Sequence, residues 1–181
     1  MADKRARFEA QVLPHLDAAY GLARWLASSP ADAEDAVQEA MLRAYRGFDT
    51  LRGPDAKTWL MVIVRNCHYS AMKQRQRRGT LPLPEEDGSE HVDALMSQSP
   101  GPENIAILRD DARTWERLLK DLPEEQRVAL MLREVEEMSY AQIAVVMNVR
   151  IGTVMSRLAR GRAALKESWF KDCEESSRAM R

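Results

Sequence analysis

The stretch from Ser139 to Lys166 constrains the fold most, because it is typical of two short helices joined by a tight turn. Apolar residues recur at helical spacing over about Tyr140 to Met147 and again over about Ile151 to Lys166. Ala144 supplies a small residue where the two helices would cross, and Asn148 tolerates the left-handed backbone of the turn. The stretch therefore predicts a helix-turn-helix.

One face of the second predicted helix carries cationic and hydroxyl side chains and no acid. By helical spacing, this face holds Arg150, Thr153, Ser156, Arg157 and Arg160. No Asp or Glu occurs between Asn148 and Lys166, although the whole chain has 28 acidic and 27 basic residues. Such a helix suits the major groove of DNA, where Arg binds guanine bidentately and hydroxyls contact bases or phosphates. The alternative is an amphipathic surface helix whose arginines are solvated.

Composition argues against several classes of protein. No apolar run approaches the roughly 20 residues of a membrane span, and the first residues lack a signal-peptide core, so we expect a cytoplasmic protein without membrane insertion. Cys67 and Cys173 are too few for a disulfide framework. Adjacent Cys67 and His68 would diverge by about 100° on a helix, so we expect no metal. The absence of a glycine-rich phosphate loop and of nucleophile–base spacing predicts neither a cofactor nor an enzyme.

A helix from about Pro30 to Phe48 combines an inward apolar stripe with an acidic face. Ser29 is a suitable N-cap, and Pro30 suits the first helical position. The acidic face includes Asp32, Asp35, Glu39 and Leu42. A single exposed leucine is ordinary on a protein surface, but beside ordered acids Leu42 could anchor a basic, partly apolar partner helix. The residues alone leave both interpretations open.

Two further helices are predicted in the first half of the chain. One runs from about Asp3 to Ala27, with Leu16 on its apolar stripe, and is interrupted at Pro14. The other runs from Ala56 to about Arg78, with an apolar first half and a second half that contains Lys73, Arg75, Arg77 and Arg78. Cations interleaved with flat or amide side chains suit single-stranded or distorted nucleic acid. The alternative is a helix end whose cations offset the helix dipole.

Composition also divides the chain into domains. Gly79 to Pro102 is rich in Pro, Gly, Ser and acid and has little periodicity, which is typical of a mobile linker. Apolar periodicity resumes over Glu103 to Leu122, and Pro123 begins another helix before the helix-turn-helix. We therefore expect an all-α fold of two small helical domains, at 1–78 and 103–169, with a flexible linker at 79–102 and a polar tail at 170–181.

Three segments in this order resemble bacterial sigma factors of the sigma-70 type, and within them the short extracytoplasmic-function (ECF) group. The segment DAEDAVQEAMLRAYRGFD, at Asp32 to Asp49, resembles the core-polymerase-binding segment of that family. TWLMVIVRNC, at Thr58 to Cys67, resembles its promoter-melting segment. Leu122 to Leu165 resembles the domain that reads the −35 element. The resemblance implies a subunit that directs RNA polymerase core to promoters.

The resemblance also implies roles for individual residues and partners. The core-polymerase-binding residues would be Asp32, Asp35, Glu39 and Leu42, docked on the β′ clamp. The −10 element would be faced by Arg65, Asn66, Tyr69, Lys73 and Arg77, with the Asp49–Lys57 loop near a flipped base. The −35 duplex would be faced by Arg150, Thr153, Ser156, Arg157 and Arg160. The β subunit and an anti-sigma factor are further implied partners, and the linker would enter the polymerase channel.

Two positions depart from the family pattern, and two other functions stay open. Met155 stands where the family often has Lys, and Asn148 where it often has Gly. A stand-alone helix-turn-helix regulator would bind a palindromic duplex without polymerase, usually as a dimer, and would leave the acidic face without a purpose. A sigma mimic that binds an anti-sigma factor could lose its arginines, whereas this chain keeps them.

Overall fold

The structure is a computed structural model that describes residues 2–79, 115 and 117–179. The described residues form helices and turns without a strand, which confirms the all-α class. The helices are α1 (Ala2–Gln11), α2 (Leu16–Leu26), α3 (Pro30–Arg46), α4 (Ala56–Arg78), α5 (Glu124–Leu130), α6 (Tyr140–Met147) and α7 (Ile151–Ala179). Residues 117–120 are also helical. We call residues 2–79 the front lobe and residues 117–179 the rear lobe.

The front lobe packs α4 against α2 and α3. The break predicted at Pro14 is a 3₁₀ turn, Leu13–His15, that separates α1 from α2. Leu60, Met61 and Val64 are buried in the first half of α4, as its apolar sequence predicted. At the start of α3 the Ser29 hydroxyl accepts a hydrogen bond from the Asp32 backbone N–H at 3.2 Å, which confirms the predicted cap.

The rear lobe contains the helix-turn-helix, formed by α6 and α7. Ser139 caps α6 in a capping box, because its hydroxyl accepts from the Gln142 N–H and the Gln142 side chain accepts from the Ser139 N–H. Asn148 ends α6 with φ 52° and ψ 50°, the left-handed conformation that the sequence predicted. Val154 and Leu158 of α7 are fully buried against the preceding helices.

Gly161 allows α5 and α7 to cross closely. A Cβ atom at this position would lie 3.0 Å from Leu130 Cδ1 and 3.3 Å from Gln126 Cβ, tighter than ordinary contact. Leu130 is buried, so its side chain has little room to move away. The crossing holds α7, the second helix of the helix-turn-helix, against the helix that precedes the motif.

The two lobes share one apolar core, in which α4 packs against α6 and α2 against α5. Polar contacts cross the same boundary. Lys57 Nζ donates to the Glu136 backbone carbonyl at 2.9 Å and lies 2.7 Å from the Glu136 carboxylate. Gln142 Nε2 donates to Asp55 Oδ2 at 3.0 Å. The loop before α4 is therefore held by the rear lobe.

The rear lobe differs from the sequence expectation in two elements. The helix after Pro123 is α only as far as Leu130, and Met131–Val135 forms a π-helical turn, followed by Glu137 at φ 54°. The last helix extends to Ala179, although the sequence predicted a fraying tail from Phe170. The linker at 79–102, apart from Gly79, and most of the helix predicted over Glu103 to Leu122 lie outside the described residues.

Removing the cap of α6 should lower the stability of the rear lobe. Ser139→Ala leaves the Gln142 N–H without its side-chain acceptor and should lower the free energy of unfolding by about 1 kcal/mol. Urea unfolding followed by circular dichroism measures the loss. Ser139→Asp, which keeps an acceptor oxygen at the cap, should retain most of the stability, and equal losses in the two variants would contradict the capping role.

Candidate functional site

The exposed side of α3 places acids beside an unusually exposed leucine. Asp35 is exposed, and Glu39 is half-buried, with its carboxylate accepting from Arg43 Nε at 2.6 Å on the same helix. Leu42 leaves 54% of its surface exposed. Because these positions follow one another at three- and four-residue steps, Asp35, Glu39 and Leu42 share one face of the helix. We call this the α3 acidic face.

Asp32 differs from these neighbours because it is bound within the front lobe. Its carboxylate accepts a hydrogen bond from Arg75 of α4, and this bond holds the pKa of Asp32 below its usual range. Only 18% of the Asp32 side chain is exposed. Arg75, which the sequence groups with the nucleic-acid-binding cations, therefore faces α3 and fastens α4 to it.

The pairing of Asp32 with Arg75 predicts a pH-dependent contribution to stability. The folded pKa of Asp32 is lowered, so the contribution is complete above the ordinary Asp pKa of about 3.9 and is lost as pH falls through the folded pKa. Arg75 is 43% exposed, so solvent screening limits the contribution to about 1 kcal/mol at most. Urea unfolding should show Asp32→Asn less stable than the parent at pH 7 and equally stable near pH 2, whereas a pH-independent difference would contradict this origin.

A cleft of about 790 Å³ lies between α3 and α4. Asp32, Asp35, Glu39 and Arg75 line it together with His68 and other residues. His68 is buried, its Nε2 has no hydrogen-bond partner among the described residues, and burial lowers the pKa of the imidazole. His68 is therefore neutral at pH 7, and the charges of the cleft belong to its acids and arginines.

An apolar groove of about 740 Å³ lies on the other side of Leu42, between α1, α2 and α3. Leu16, Met41, Leu42 and Tyr45 contribute to its lining, and Leu16 and Tyr45 are 38% and 42% exposed. Helical periodicity in the sequence predicts that Leu16 faces the protein core, and it assigns no function to Tyr45. Leu42 thus joins the acidic face to an apolar surface.

The predicted −10 residues share one face of α4, here called the α4 cationic face. Its members are Arg65, Asn66, Tyr69, Lys73 and Arg77. Asn66, Lys73 and Arg77 are exposed, and the Arg65 guanidinium lies 4.8 Å from the centroid of the Tyr69 ring. Arg75 lies on the opposite side of the helix against α3. The face therefore offers two fully exposed cations and a cation-stacked aromatic ring.

Tyr69 is also bound to the rear lobe. Its hydroxyl donates to Glu124 Oε1 at 2.5 Å, and burial together with this carboxylate raises the pKa of Tyr69 to about 12. Tyr69 is consequently a neutral phenol at any physiological pH. The sequence indicates only that Glu124 is an acid in the first turn of a helix. In the structure its carboxylate binds the hydroxyl of Tyr69, the aromatic member of the α4 cationic face.

The predicted −35 residues lie along the exposed side of α7. We call this set the α7 cationic face: Arg150, Thr153, Ser156, Arg157 and Arg160. Arg150, Ser156 and Arg160 are exposed, and Thr153 is half-buried. The Ser156 hydroxyl donates to the Thr153 carbonyl at 3.0 Å, and Arg160 Nη2 donates to Ser156 Oγ at 3.4 Å. These local bonds orient Ser156 and Arg160 together and leave most guanidinium donors of Arg160 available.

Arg157 is a largely buried member of the predicted −35 set. Only 13% of its side chain is exposed, and its Nη2 lies 2.7 Å from Glu125 Oε2. Glu125 follows Glu124, which binds Tyr69. Two adjacent acids at the start of α5 therefore hold one residue from each cationic face, a connection that no local sequence pattern indicates.

A metal site and a membrane span each have requirements that the described part of the chain, residues 2–79, 115 and 117–179, does not meet. Within it, no three His, Cys, Asp or Glu side chains lie close enough together to hold a metal ion. No helix in the same ranges is long and apolar enough to cross a membrane.

Comparison with known protein families matches both lobes. Residues 12–78 match the family described as Sigma-70 region 2, and residues 112–165 match Sigma-70, region 4. The ECF RNA polymerase sigma factor SigE of Mycolicibacterium smegmatis is 31% identical over 168 residues, covering 93% of this chain and 63% of SigE. The RNA polymerase sigma-H factor of Pseudomonas aeruginosa is 36% identical over 170 residues, covering 92% of this chain and 87% of its own length.

A solved structure shows the same fold across both lobes. It is the sigma factor RpoE in complex with the anti-sigma factor NepR from Bartonella quintana, with a TM-score of 0.71 and 27% identity. The similarity covers 90% of this chain and 96% of that sigma factor. The matched families, their order along the chain and the identity over 87% of the sigma-H factor agree with the resemblance seen in the sequence. The chain belongs to the sigma-70 family of transcription initiation factors, in the extracytoplasmic-function group of RNA polymerase sigma factors.

Proposed function

We propose that this chain binds RNA polymerase core through its front lobe and directs it to promoters through both lobes. The observation that carries the proposal is one chain with an exposed acidic and apolar face on α3 and two separate cationic helix faces. Nothing in these faces requires catalysis by the chain itself, because polymerase supplies the chemistry of nucleotide addition. The chain would act in the bacterial cytoplasm, where polymerase and promoters are found.

The α3 acidic face is the proposed contact with the β′ clamp. Leu42 is the apolar anchor, Asp35 and Glu39 are the charged partners, and Asp32 acts as a support that keeps α4 against α3. An exposed apolar side chain surrounded by acids fits a basic helix with an apolar ridge. The neighbouring groove lined by Leu16 and Tyr45 enlarges the surface available to such a partner.

The α4 cationic face is the proposed contact with the −10 element during strand separation. Lys73 and Arg77 would contact phosphates, and the Tyr69 ring, with Arg65 stacked on it, would receive an unpaired base. Stacking on an aromatic ring is worth about 1–3 kcal/mol per base, comparable to the few kcal/mol that extrusion of a base costs. Strand separation can therefore be driven by binding of the separated strand.

The α7 cationic face is the proposed contact with the −35 duplex. A recognition helix reads base edges with the residues near its N-terminus, which places Thr153 and Ser156 at the groove floor. Arg150 and Arg160 would contact phosphates or guanine at its edges. Arg157, which is paired with Glu125, would support the position of the helix unless that pair opens.

The proposed function requires the two lobes to separate from the arrangement described above. The −10 and −35 elements lie about 25 base pairs apart, roughly 85 Å along B-DNA at 3.4 Å per pair. In the structure, Tyr69 and Arg157 are bound by two consecutive residues, Glu124 and Glu125. The arrangement resembles that of a sigma factor bound to an anti-sigma factor, so we propose an anti-sigma partner that stabilises the closed form.

Specific run-off transcription tests the proposed function. Core polymerase of a related bacterium, with and without the purified chain, should yield promoter-dependent transcripts only when the chain is present. A library of genomic fragments supplies the templates, so that the promoter is identified by the transcripts themselves. If the folded chain binds core but never directs specific initiation, the promoter-specificity function is wrong.

Two other functions would give different results with the same purified chain and core polymerase. A stand-alone helix-turn-helix regulator would bind a palindromic duplex as a dimer and would not associate with core. A sigma mimic would bind an anti-sigma factor and would not initiate transcription. The α3 acidic face argues against the first function. The three cations of the α4 cationic face, Arg65, Lys73 and Arg77, argue against the second.

A further inference from the structure

Two large apolar side chains on the first turns of α7 are exposed and are not covered by any residue that the structure describes. Ile151 is 48% exposed and Met155 is 53% exposed. They are four residues apart and therefore lie beside each other on one face. Val154 and Leu158, three and seven residues after Ile151, lie on the adjoining stripe of the helix, where they are fully buried and provide its core contacts.

The residues around Met155 are small, and none of them is required to be so by the fold. Gly152 and Ala159 are exposed and share the helix face with Met155, and the exposed Ser156 adjoins that face. A Cβ atom added at Gly152 would meet no atom within 4 Å. Neither packing nor backbone conformation therefore demands glycine at this position. Small residues there let a flat or concave ligand approach the helix backbone and reach Met155.

The charge around this apolar pair limits the kind of ligand. Exposed Arg150 and Arg160 border the same exposed side of α7, and no acid occurs between Asn148 and Lys166. A basic or neutral protein surface would form no ion pairs with these arginines. A duplex offers both phosphates for the arginines and, in the major groove, an apolar group, the C5-methyl of thymine.

We propose that Met155, supported by Ile151, contacts a thymine methyl group in the −35 duplex and makes the chain favour A·T at that pair. The inference rests on the proposed function and adds a specificity determinant to the α7 cationic face. The sulfur and terminal methyl of methionine are soft and adaptable, so they can cover a methyl group without a fixed hydrogen-bond geometry. A lysine at this position would contact phosphate and carry no preference for thymine.

Replacement of thymine by uracil removes only the methyl group and so isolates the proposed contact. The probe is a duplex with the −35 region of a promoter that supports run-off, and the protein is the reconstituted holoenzyme. Each thymine of both strands is replaced in turn. One replacement should weaken binding about threefold to fivefold, the effect of one buried methyl group, and the others should change it less than about twofold.

Met155→Ala tests whether this loss belongs to Met155. The variant should bind the parent duplex about threefold to fivefold more weakly and should no longer distinguish thymine from uracil at that position. Met155→Lys should also lose the distinction while its dependence on salt becomes steeper by about one charge. Met72→Ala, which removes a 43% exposed methionine from the front lobe, is the matched control and should keep the distinction.

The outcomes separate this inference from the function on which it rests. If holoenzyme shows no preference for the −35 duplex over random DNA, the proposed function fails. If the preference is intact but no uracil position weakens binding, or Met155→Ala keeps the same uracil sensitivity, the methyl contact is overturned. A Met155→Ala variant with normal DNA binding and impaired binding of a regulatory protein would also overturn it and identify a protein-docking role.

Discussion

Asp35→Asn and Glu39→Gln, introduced together, should weaken binding of the chain to polymerase core about tenfold to hundredfold. Both side chains keep their shape and lose their charge, so the fold should be retained. Asp35 is exposed. Among the described residues Glu39 pairs with the neighbouring Arg43, and loss of such a pair on a helix surface costs little. A carboxylate that meets a cation in a desolvated interface contributes on the order of 1 kcal/mol or more.

The measurement is a titration of labelled core polymerase with each variant, in the absence of DNA. Glu9→Gln together with Glu167→Gln is the matched control, because both are acids in i,i+4 ion pairs on helices other than α3. The control should bind core as the parent does. Unchanged affinity in the α3 variant, with an unchanged melting temperature, would remove this face from the core interface. Leu42→Ala then tests whether an apolar anchor acts without the charges.

The elements that the sequence predicts well depend on neighbouring residues. The caps at Ser29 and Ser139 and the turn at Asn148 are predictable because each uses side-chain or backbone chemistry within about four residues. The acidic face of α3 is predictable too, since helical periodicity alone defines which side chains share a face. The assignment of the α4 and α7 faces to DNA follows from charge and periodicity and is still a prediction.

The pairs that the sequence does not predict join residues far apart along the chain. Arg75 meets Asp32 across 43 positions, and Tyr69 meets Glu124 across 55. A composition pattern can count the four cations at the end of α4 but cannot assign them to partners. Arg75 binds α3, whereas Lys73 and Arg77 are exposed. The same limit applies to Arg157, whose partner Glu125 lies 32 positions earlier on α5.

The contact between the front and rear lobes is also not predictable from the sequence. The two domains are predicted as separate helical units, and each has the expected apolar stripes. Their contact uses Gln142, Lys57 and Glu136, which read as ordinary surface residues of a helix or loop. The π-helical turn at Met131–Val135 precedes Glu136 and contributes to its placement, and neither feature has a signature in the apolar periodicity.

Glu136→Gln should shift the chain from the closed arrangement toward separated lobes. Lys57 and Glu136 are 28% and 11% exposed, so their pair is largely shielded from solvent. Loss of one partner from such a pair leaves the other charge poorly satisfied and costs about 1–3 kcal/mol. Since each 1.4 kcal/mol is a factor of ten, the ratio of open to closed chains should rise about fivefold to a hundredfold.

A larger open population should appear both in shape and in binding. Small-angle scattering should give a larger radius of gyration for Glu136→Gln. Its affinity for a promoter fragment with a single-stranded −10 element should rise by the same factor, because the apparent affinity is scaled by the open fraction. Glu124→Gln weakens the hydrogen bond to the Tyr69 hydroxyl and should also raise the open population. The two substitutions combined should raise it more than either one alone.

Glu134→Gln is the control for this experiment, because it removes the same charge from a pair with Arg162 that lies within the rear lobe. It should leave both the radius of gyration and the promoter affinity unchanged. If Glu136→Gln opens the chain without improving promoter binding, the contact between the lobes does not limit access to DNA. If neither quantity changes, the apolar core between α4 and α6 holds the lobes together without these ion pairs, and separation must come from binding of polymerase itself.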